Sequence, residues 1–150
     1  MLKHKDLIEQ IKDPFELFKK WYDLACETEI NDPNAMTLST IYENQPSSRV
    51  VLLKSYDKNG FVFYTNSNSK KGDSIKINNK VALNFHWKTQ NRQIRIEGNA
   101  NIVSDSVADS YFKSRPRGSQ IGAWSSDQSS DLSSRDELLE NIKMYENKFK

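Results

Sequence analysis

The sequence predicts a mainly β, α+β fold: a small antiparallel β-barrel with flanking helices. Three observations favour this class. About five segments have the composition of strands, and turn signals separate most of them, as in antiparallel hairpins. Helical spacing of apolar residues is found mainly before and after this group. The sequence contains neither a GxGxxG nor a GxxxxGK[ST] motif, which argues against a doubly wound nucleotide-binding sheet.

The first helix is predicted by its N-terminal signal. Asp13 is the expected N-cap, Pro14 occupies the first helical position, and Glu16 completes a capping box. Apolar residues then recur at helical spacing along one wide face. We expect the helix to end near Thr28, before the turn-rich stretch at residues 31–34.

Strands joined by turns are predicted next. Residues 35–42 fit a strand, and residues 45–48 (Gln-Pro-Ser-Ser) fit a turn. Residues 49–54 form a short apolar run with a cation at each end. Asn59-Gly60, followed by the strand-like residues 61–65, predicts a hairpin whose type I′ turn places both residues at positive φ.

The middle of the chain predicts a helix between strands. Residues 69–78 fit a short helix with two lysines in its first turn, and residues 81–87 fit a strand. Residues 93–103 alternate polar and apolar side chains and give the clearest strand pattern. Ser104 should then cap a short helix that buries Val107, and Pro116 should end it.

The C-terminal part predicts a loop and a helix. Residues 125–134 contain six serines, which is a loop composition. Ser134 and Glu137 form a second capping box, and apolar residues follow at helical spacing. Because neither a glycine cap nor a proline follows, we expect this helix to continue to Lys150.

Length and composition restrict the class of protein. The 150 residues fit one domain, and a net charge of +2 argues against broad nucleic-acid coating while permitting local anion sites. No apolar run is long enough for a membrane span, and the N-terminus lacks a secretory signal. The single cysteine, Cys26, indicates a reducing compartment, so we expect a cytoplasmic protein. The cysteine and the two histidines are scattered, so we expect no metal site.

Several cations are candidates for binding phosphate. Arg49 and Lys54 are five residues apart, so in an extended chain they point to opposite faces and would serve two different anions. Residues 114–119 place two guanidiniums and two hydroxyls beside a glycine, in a turn that can grip a phosphate. No catalytic residue is identified from these patterns. A basic, aromatic-bearing pocket without a protein nucleophile indicates a cofactor that does the chemistry itself.

Several blocks, taken in order, resemble the pyridoxamine 5′-phosphate oxidase family. The block at residues 110–124, Ser-Tyr-Phe-Lys-Ser-Arg-Pro-Arg-Gly-Ser-Gln-Ile-Gly-Ala-Trp, is the most specific. The others are Asp13-Pro14-Phe15 with Phe18 and Trp21, residues 49–54 (Arg-Val-Val-Leu-Leu-Lys), Phe63-Tyr64-Thr65-Asn66, Arg92-Gln93-Ile94 and Gln128-Ser129-Ser130. The resemblance extends from about residue 13 to the end of the sequence.

The resemblance implies a homodimeric FMN-binding split β-barrel with FMN between the subunits. By position, the residues implied to bind FMN are Arg49, Val50, Val51, Leu52, Leu53, Lys54, Tyr64, Thr65, Lys70, Lys71, Gln93, Gln128 and Ser129. The residues implied to bind the substrate phosphate are Lys54, Tyr111, Arg115 and Ser119.

The activity implied by the resemblance belongs to vitamin B6 metabolism. Pyridoxine or pyridoxamine 5′-phosphate would pass a hydride from C4′ to the flavin, giving pyridoxal 5′-phosphate directly or through an imine that water hydrolyses. Oxygen would reoxidise the flavin and yield hydrogen peroxide. In family members a further segment supplies a Trp, an Arg and an Arg-x-His pair to the site, and this sequence has no histidine after His86. We therefore expect residues 1–150 to be a single split-barrel domain that is C-terminally incomplete.

Two alternatives stay open at this point. The first is a non-catalytic protein that binds FMN or pyridoxal phosphate on the same fold. The second is another flavin reductase of the split-barrel class, although such an enzyme would have no need for the substrate-phosphate block at Tyr111, Arg115 and Ser119.

Overall fold

The structure, a computed structural model, describes residues 10–150, so the expectation about the N-terminal signal lies largely outside the described residues. The helices are α1 (Pro14–Thr28), α2 (Lys70–Ile77), α3 (Asp105–Ser114), α4 (Arg117–Ser125) and α5 (Arg135–Lys148). The strands are β1 (Ala35–Tyr42), β2 (Gln45–Leu52), β3 (Ser55–Asp57), β4 (Gly60–Val62), β5 (Lys80–Trp87) and β6 (Arg92–Asn99). Among the described helices, none is long and apolar enough to cross a membrane.

The strands form one four-stranded sheet and one hairpin. The order in the sheet is β2-β1-β5-β6, and β3 pairs with β4. Strands β1 and β5 are antiparallel, with Leu38 opposite Leu83 and Thr37 opposite Asn84. The predicted class, an antiparallel sheet with flanking helices, is confirmed. The described strands do not close into a barrel.

The chain forms two compact units, and each is built from separate stretches of sequence. Unit 1 contains the described residues up to Ser39 together with Pro46–Tyr64 and Val81–Gly98. Unit 2 contains Thr40–Gln45, Thr65–Lys80 and Asn99–Lys150. The expectation of one domain over residues 1–150 stays a prediction.

An aromatic cluster forms the core of unit 1. Phe18 on α1 is 4% exposed. Its ring lies 4.8 Å from that of Tyr56, 4.9 Å from Phe61, 5.3 Å from Phe85 and 6.0 Å from Trp87. The apolar face of α1 therefore packs the Phe18 ring among aromatic rings of β3, β4 and β5.

A buried arginine joins α1 to the start of β6. Arg92 is 6% exposed, and its guanidinium lies 4.6 Å from the centre of a Trp21 ring and donates to the Gln90 amide oxygen. Gln90 in turn donates to the Trp21 carbonyl oxygen. Burial lowers the pKa of Arg92. These contacts fix the position at which β6 begins, one residue before Gln93.

In unit 2, α4 and α5 pack through aromatic rings. The Trp124 ring lies 5.5 Å from that of Phe149, 6.0 Å from Tyr145 and 6.4 Å from Phe112. Helix α4 itself was not predicted, because residues 114–119 were interpreted as a phosphate-binding turn and no element was assigned to residues 120–124. The final helix ends at Lys148 rather than running to Lys150, since Phe149 is its C-cap.

The helix starts are confirmed with small differences. Asp13 caps α1, but its side chain accepts from the Phe15 N–H rather than from residue 16. Ser134 caps α5 and accepts from the Glu137 N–H, as a capping box requires. The Glu137 carboxylate accepts from Ser133 instead of returning to Ser134. Ser104 is the N-cap of α3, but its hydroxyl bonds to the Ser106 hydroxyl and makes no capping bond to a helix N–H.

The turns were predicted less well than the helices. Residues 45–48 are not a turn, because β2 already begins at Gln45. The reversal is made by Glu43 and Asn44, whose φ angles are 48° and 62°. The hairpin at residues 57–60 is confirmed, but Asp57 pairs with Gly60 and only Gly60, at φ 148°, has positive φ. The predicted type I′ turn at Asn59-Gly60 is therefore wrong.

Two strands were predicted too long, and one residue was wrongly predicted to be buried. The strand predicted to reach residue 103 ends at Asn99, and Ile102 beyond it is 84% exposed. The strand predicted over residues 61–65 ends at Val62. Val107 on α3 is 46% exposed rather than buried.

Candidate functional site

A set of hydrogen-bond donors surrounds the start of α2 in unit 2. Ser69 caps the helix and accepts from the Gly72 N–H. Lys70 and Lys71 follow in the first helical turn, as predicted. The Lys71 ammonium donates to the Ser69 hydroxyl at 3.1 Å and to the Gln128 amide oxygen at 2.6 Å. A helix N-terminus with lysines beside it is a favourable place for an anion to bind.

Gln128 connects the serine-rich loop to this helix start. Its amide oxygen Oε1 accepts from both Lys71 and the Thr65 hydroxyl, the latter at 3.2 Å. These two bonds fix which end of the amide is oxygen, so the Nε2 hydrogens are directed elsewhere. Ser129, the next residue, has φ 70° and turns the loop at this point. The structure thus brings together three of the residues predicted to bind FMN: Thr65, Lys71 and Gln128.

Gly72 is needed for the close approach of the preceding loop to α2. A Cβ atom at this position would lie 2.3 Å from the Ser67 carbonyl oxygen. Such a separation is not possible without movement of the backbone. The glycine therefore permits residues 66–68 to lie against the helix start, next to Thr65.

Three of the four residues predicted to hold the substrate phosphate lie at the junction of α3 and α4, whereas Lys54 belongs to unit 1. Tyr111 is on α3, Arg115 is its C-cap, and Ser119 lies in the first turn of α4. The Arg115 carbonyl accepts from the Gln120 side chain at 2.7 Å, and its guanidinium carbon lies 5.7 Å from the centre of the Phe112 ring. The expected phosphate-binding turn is therefore two helix ends joined through Pro116, and Gly118 is helical.

Arg117 has a different role from the one expected. Its guanidinium donates to the Phe149 carbonyl at 2.8 Å and to the Glu146 carbonyl at 3.4 Å. These are carbonyls at the C-terminus of α5, where a cation is favourable. Of the two arginines beside Pro116, Arg117 therefore has its guanidinium bound to backbone carbonyls of α5.

One face of the sheet in unit 1 carries several of the other predicted residues. Val51 is buried, while Val50 and Leu52 are 67% and 39% exposed on the opposite side of β2. Because side chains alternate along a strand, Val50 and Leu52 share a face of β2 with Ser48, whose hydroxyl bonds to that of Ser39 in β1. The β1–β5 register puts Asn84 on the same face as Ser39, and Gln93 bonds to Asn84. Gln93 therefore lies on the same face of the sheet as Val50 and Leu52. An apolar surface and an amide are thus exposed on one side of this sheet.

Arg49 and Lys54 differ in their surroundings. The Arg49 guanidinium donates to the Leu38 carbonyl at 3.2 Å and to the carbonyl and hydroxyl of Ser47 at 3.0 and 2.9 Å. Burial lowers the pKa of Arg49. Lys54 lies after the end of β2, and its N–H donates to the Val62 carbonyl. Because β2 ends at Leu52, strand alternation alone does not set the direction of Lys54.

The predicted residues fall into both units. Those in unit 1 are Arg49, Val50, Val51, Leu52, Leu53, Lys54, Tyr64 and Gln93. Those in unit 2 are Thr65, Lys70, Lys71, Tyr111, Arg115, Ser119, Gln128 and Ser129. Of these, Val51 and Leu53 are buried.

Sequence reasoning did not identify Asn84, whose side chain accepts from Gln93 at 2.8 Å. The only signal in the sequence was a polar residue in the middle of an apolar strand.

A surface pocket in unit 1 lies away from these residues. Its lining includes Glu29, Asp32, His86, Trp87 and Thr89. Thr89 donates to the Glu29 carboxylate through its N–H and its hydroxyl. None of the predicted site residues lines this pocket. Within residues 10–150, no group of three or more His, Cys, Asp or Glu side chains could hold a metal ion.

Comparison with known proteins identifies the family. Residues 23–147 match the family described as pyridoxamine 5′-phosphate oxidase. A protein of Pelagibacter ubique named pyridoxine/pyridoxamine 5′-phosphate oxidase is 51% identical over 91% of this chain and 66% of its own length. Proteins of the same name from Caulobacter vibrioides and Brucella canis are 52% and 47% identical over 87% and 99% of this chain. This chain covers 60% and 74% of their lengths.

Solved structures agree with these sequence matches. A crystal structure of PhzG from Burkholderia lata, in complex with tetrahydrophenazine-1-carboxylic acid, has a TM-score of 0.88. It is 26% identical over 95% of this chain and 71% of that chain. A pyridoxamine 5′-phosphate oxidase-related, FMN-binding protein of Nostoc punctiforme shares the fold, with a TM-score of 0.67 at 13% identity over 86% of this chain and 72% of that chain. Together with the family match and the relatives at about half identity, these findings show that the chain belongs to the pyridoxamine 5′-phosphate oxidase family.

Proposed function

We propose that this chain binds FMN and is the major part of an enzyme that oxidises pyridoxine or pyridoxamine 5′-phosphate to pyridoxal 5′-phosphate. The observation that carries this proposal is the presence of two separate groups of phosphate-compatible donors in unit 2. One lies at the start of α2 and the other at the junction of α3 and α4. A phosphorylated cofactor and a phosphorylated substrate together require two such groups.

The first group suits the phosphate of FMN. Lys70, Lys71 and the Gln128 amide offer charged and neutral donors around one helix N-terminus, and the Thr65 hydroxyl helps to orient that amide by donating to its oxygen. A phosphate monoester carries nearly two negative charges and accepts several hydrogen bonds. Since Gln128 already accepts two bonds through Oε1, its Nε2 hydrogens suit a bound anion. Ser129 follows in the same loop.

The exposed face of the sheet in unit 1 suits the flavin ring. Val50 and Leu52 offer apolar surface for a flat aromatic system, and Gln93 offers an amide for the polar edge of the ring. The rest of the 49–54 segment is part of the same proposal, with Arg49 and Lys54 at its ends and Val51 and Leu53 fixing it to the core. Tyr64 completes the proposed contacts from this unit.

The second group suits the phosphate of the substrate. Tyr111 and Ser119 supply hydroxyls and Arg115 supplies a guanidinium, and we assign Lys54 to the same phosphate. Arginine binds phosphate through two parallel N–H donors, which fixes orientation as well as position. In this way the protein would hold the C4′ carbon of the substrate at a constant place relative to the cofactor.

In the proposed reaction the protein itself binds and orients FMN and the substrate. Bound FMN would supply the two-electron acceptor, taking a hydride from C4′ and passing the electrons to oxygen to form hydrogen peroxide. The alcohol substrate loses two electrons and two protons and becomes the aldehyde. The amine substrate becomes an imine, and water converts it to the aldehyde and ammonia. No side chain of this chain is assigned to proton transfer.

Two further properties belong to the proposal. We expect a homodimer with FMN between the subunits, because the face of the sheet that carries Val50 and Leu52 is exposed in one chain. We also expect a cytoplasmic protein, because its one cysteine, Cys26, is free and exposed. Light scattering of the FMN-loaded protein measures the mass, and a monomer would contradict the first expectation.

Reconstitution with FMN is the first test. The purified chain should quench the fluorescence of added FMN with one site per subunit and show the visible absorbance of a flavoprotein. Pyridoxine phosphate should then bleach the flavin without oxygen and release peroxide with oxygen. A chain that takes up no FMN would contradict the whole proposal. Uptake of FMN without bleaching or peroxide release would favour the non-catalytic alternative.

Arg115 and Arg117 form a matched pair for testing the substrate site. We expect Arg115→Ala to weaken binding of pyridoxal phosphate by about 1.5–3 kcal/mol, the range for a hydrogen bond to a charged group, while FMN affinity is retained. Arg117→Ala should leave both affinities unchanged, because this side chain is bound to carbonyls of α5. Equal losses for the two variants, or a loss of FMN in Arg115→Ala, would contradict the assignment.

A second candidate function comes from the likeness to PhzG. The crystal structure of PhzG holds tetrahydrophenazine-1-carboxylic acid, so the likeness in fold, with a TM-score of 0.88, favours a related oxidase whose ligand is a polycyclic acid without a phosphate. The higher identity to the pyridoxine/pyridoxamine 5′-phosphate oxidases favours the phosphorylated vitamers. The same bleaching assay separates the two, because only a phosphate-specific site should be inhibited competitively by inorganic phosphate.

A further inference from the structure

Asn84 occupies an unusual position for its residue type. It lies in the middle of β5, between the buried residues Leu83 and Phe85, and its own side chain points to the opposite, more exposed face. Asparagine is depleted in strands, because its amide gains little from packing on a pleated surface. Its neighbour in β1, Thr37, lies directly opposite on the same face. Packing therefore does not explain why an amide stands at this position.

The contact made by Asn84 is with Gln93. The Gln93 Nε2 donates to the Asn84 Oδ1 at 2.8 Å, and the bond joins neighbouring strands on the exposed face. A free glutamine side chain on a surface samples many rotamers, and ordering it opposes any contact it makes. A glutamine already held by a neighbour has less freedom to lose when a ligand binds.

The bond also affects what Gln93 can offer to a ligand. A glutamine amide has two N–H donors and one oxygen acceptor. With one Nε2 hydrogen engaged by Asn84, Oε1 is turned away from Asn84 and is suited to accept from a ligand N–H. The isoalloxazine ring of FMN has such an N–H between two carbonyl groups.

We propose that Asn84 is a positioning residue, which acts on bound FMN by holding and orienting the Gln93 amide. The inference rests on the proposed function, because it requires that FMN binds and that Gln93 contacts it. Asn84 itself is not proposed to touch the cofactor. Its effect on FMN affinity should therefore disappear when Gln93 is absent.

A double-mutant cycle on the full chain tests this. The four proteins are the parent, Asn84→Leu, Gln93→Ala and the double variant, and FMN affinity is measured by flavin fluorescence quenching. We expect Asn84→Leu to weaken FMN about five-fold in the parent, as for loss of one neutral hydrogen bond, and to have almost no effect in Gln93→Ala. Thr37→Val, a change on the same face, should leave the affinity unchanged.

A conservative variant and a stability measurement exclude a purely structural role. Asn84→Asp keeps an acceptor for Gln93 and should restore most of the affinity at about 0.15 M salt, where charges beyond about 8 Å are largely screened. The thermal midpoints of all apo variants should lie within a few degrees of the parent, since the pair is exposed.

The outcomes separate this inference from the proposed function. If Asn84→Leu weakens FMN equally with and without Gln93, or has no effect while Gln93→Ala does, the positioning role is overturned and FMN binding stands. If Asn84→Asp binds no better than Asn84→Leu, the hydrogen bond is not the cause and the role is again overturned. If the parent chain binds no FMN, the proposed function itself fails.

Discussion

Replacing Phe18 with alanine should destabilise unit 1 more than any change on the surface of the same helix. Phe18 is 4% exposed, and its ring contacts those of Tyr56, Phe61, Phe85 and Trp87 at 4.8–6.0 Å. The partners come from three strands, so a cavity left at this position is bordered by elements that cannot all move inwards together.

The magnitude follows from two contributions. Burying a phenylalanine side chain contributes about 1.5–3 kcal/mol, and edge-to-face ring pairs such as Phe18–Tyr56 add about 0.5–1.5 kcal/mol each without being fully additive. Measured Phe→Ala substitutions in cores cost about 3–5 kcal/mol. We therefore expect a loss of about 4 kcal/mol, which is a large part of the roughly 5–15 kcal/mol by which domains are stable.

Urea denaturation followed by tryptophan fluorescence measures this loss, because Trp87 lies in the same cluster. A loss of about 4 kcal/mol should lower the thermal midpoint by roughly 8–16 °C for a chain of this size. Leu24→Ala is the control, since Leu24 is on the same helix and 38% exposed, and it should cost about 1 kcal/mol or less. If Phe18→Ala costs no more than Leu24→Ala, the aromatic cluster is not the core of unit 1.

Three other predictions concern the start of α2 and the tyrosine of α1. Lys71→Met should weaken the affinity for FMN about ten-fold or more in quenching titrations. The control, Lys76→Met, removes only an exposed ion pair with Asp73 and should leave that affinity unchanged. Equal effects of the two variants would contradict the assignment of Lys71 to the FMN phosphate. Gly72→Ala should lower the free energy of unfolding by about 1–3 kcal/mol, because the new Cβ would lie 2.3 Å from the Ser67 carbonyl oxygen, and an unchanged denaturation midpoint would refute this. Burial, followed by the nearby Cys26 thiol, raises the pKa of Tyr22 to about 12. The phenol's contribution to stability is therefore complete below pH 10 and lost as the pH rises towards 12, so alkaline unfolding curves of Tyr22→Phe should fall less steeply over this window.

Local signals in the sequence were enough for most helices. Asp13 and Ser134 were identified as caps because a capping side chain bonds to an N–H only two or three residues away. Helix α4 gave no comparable signal, because Pro116 precedes it without a side-chain cap bond. Its position depends on aromatic contacts of Trp124 with α5.

The start of β2 shows why turns were harder to predict. Residues 45–48 have a turn composition, yet Pro46 lies in a strand at the edge of the sheet, where a missing N–H costs no ladder hydrogen bond. The true reversal uses Glu43 and Asn44 in the left-handed region, and glutamate gives little indication of that conformation.

The sequence by itself determined the family, the fold class and the residues from which the candidate site is built. These depend on local spacing and on blocks of matching residues, which can be recognised without knowing any contact. Only the tertiary structure determined which partners those side chains contact. It bound Arg117 to carbonyls of α5, which is why Arg115 is the arginine that we propose for the phosphate, joined Lys71 to Gln128 across 57 positions, and paired Gln93 with Asn84. Such partners are set by which strands and helices become neighbours on folding, and the chemistry of a single residue does not specify them.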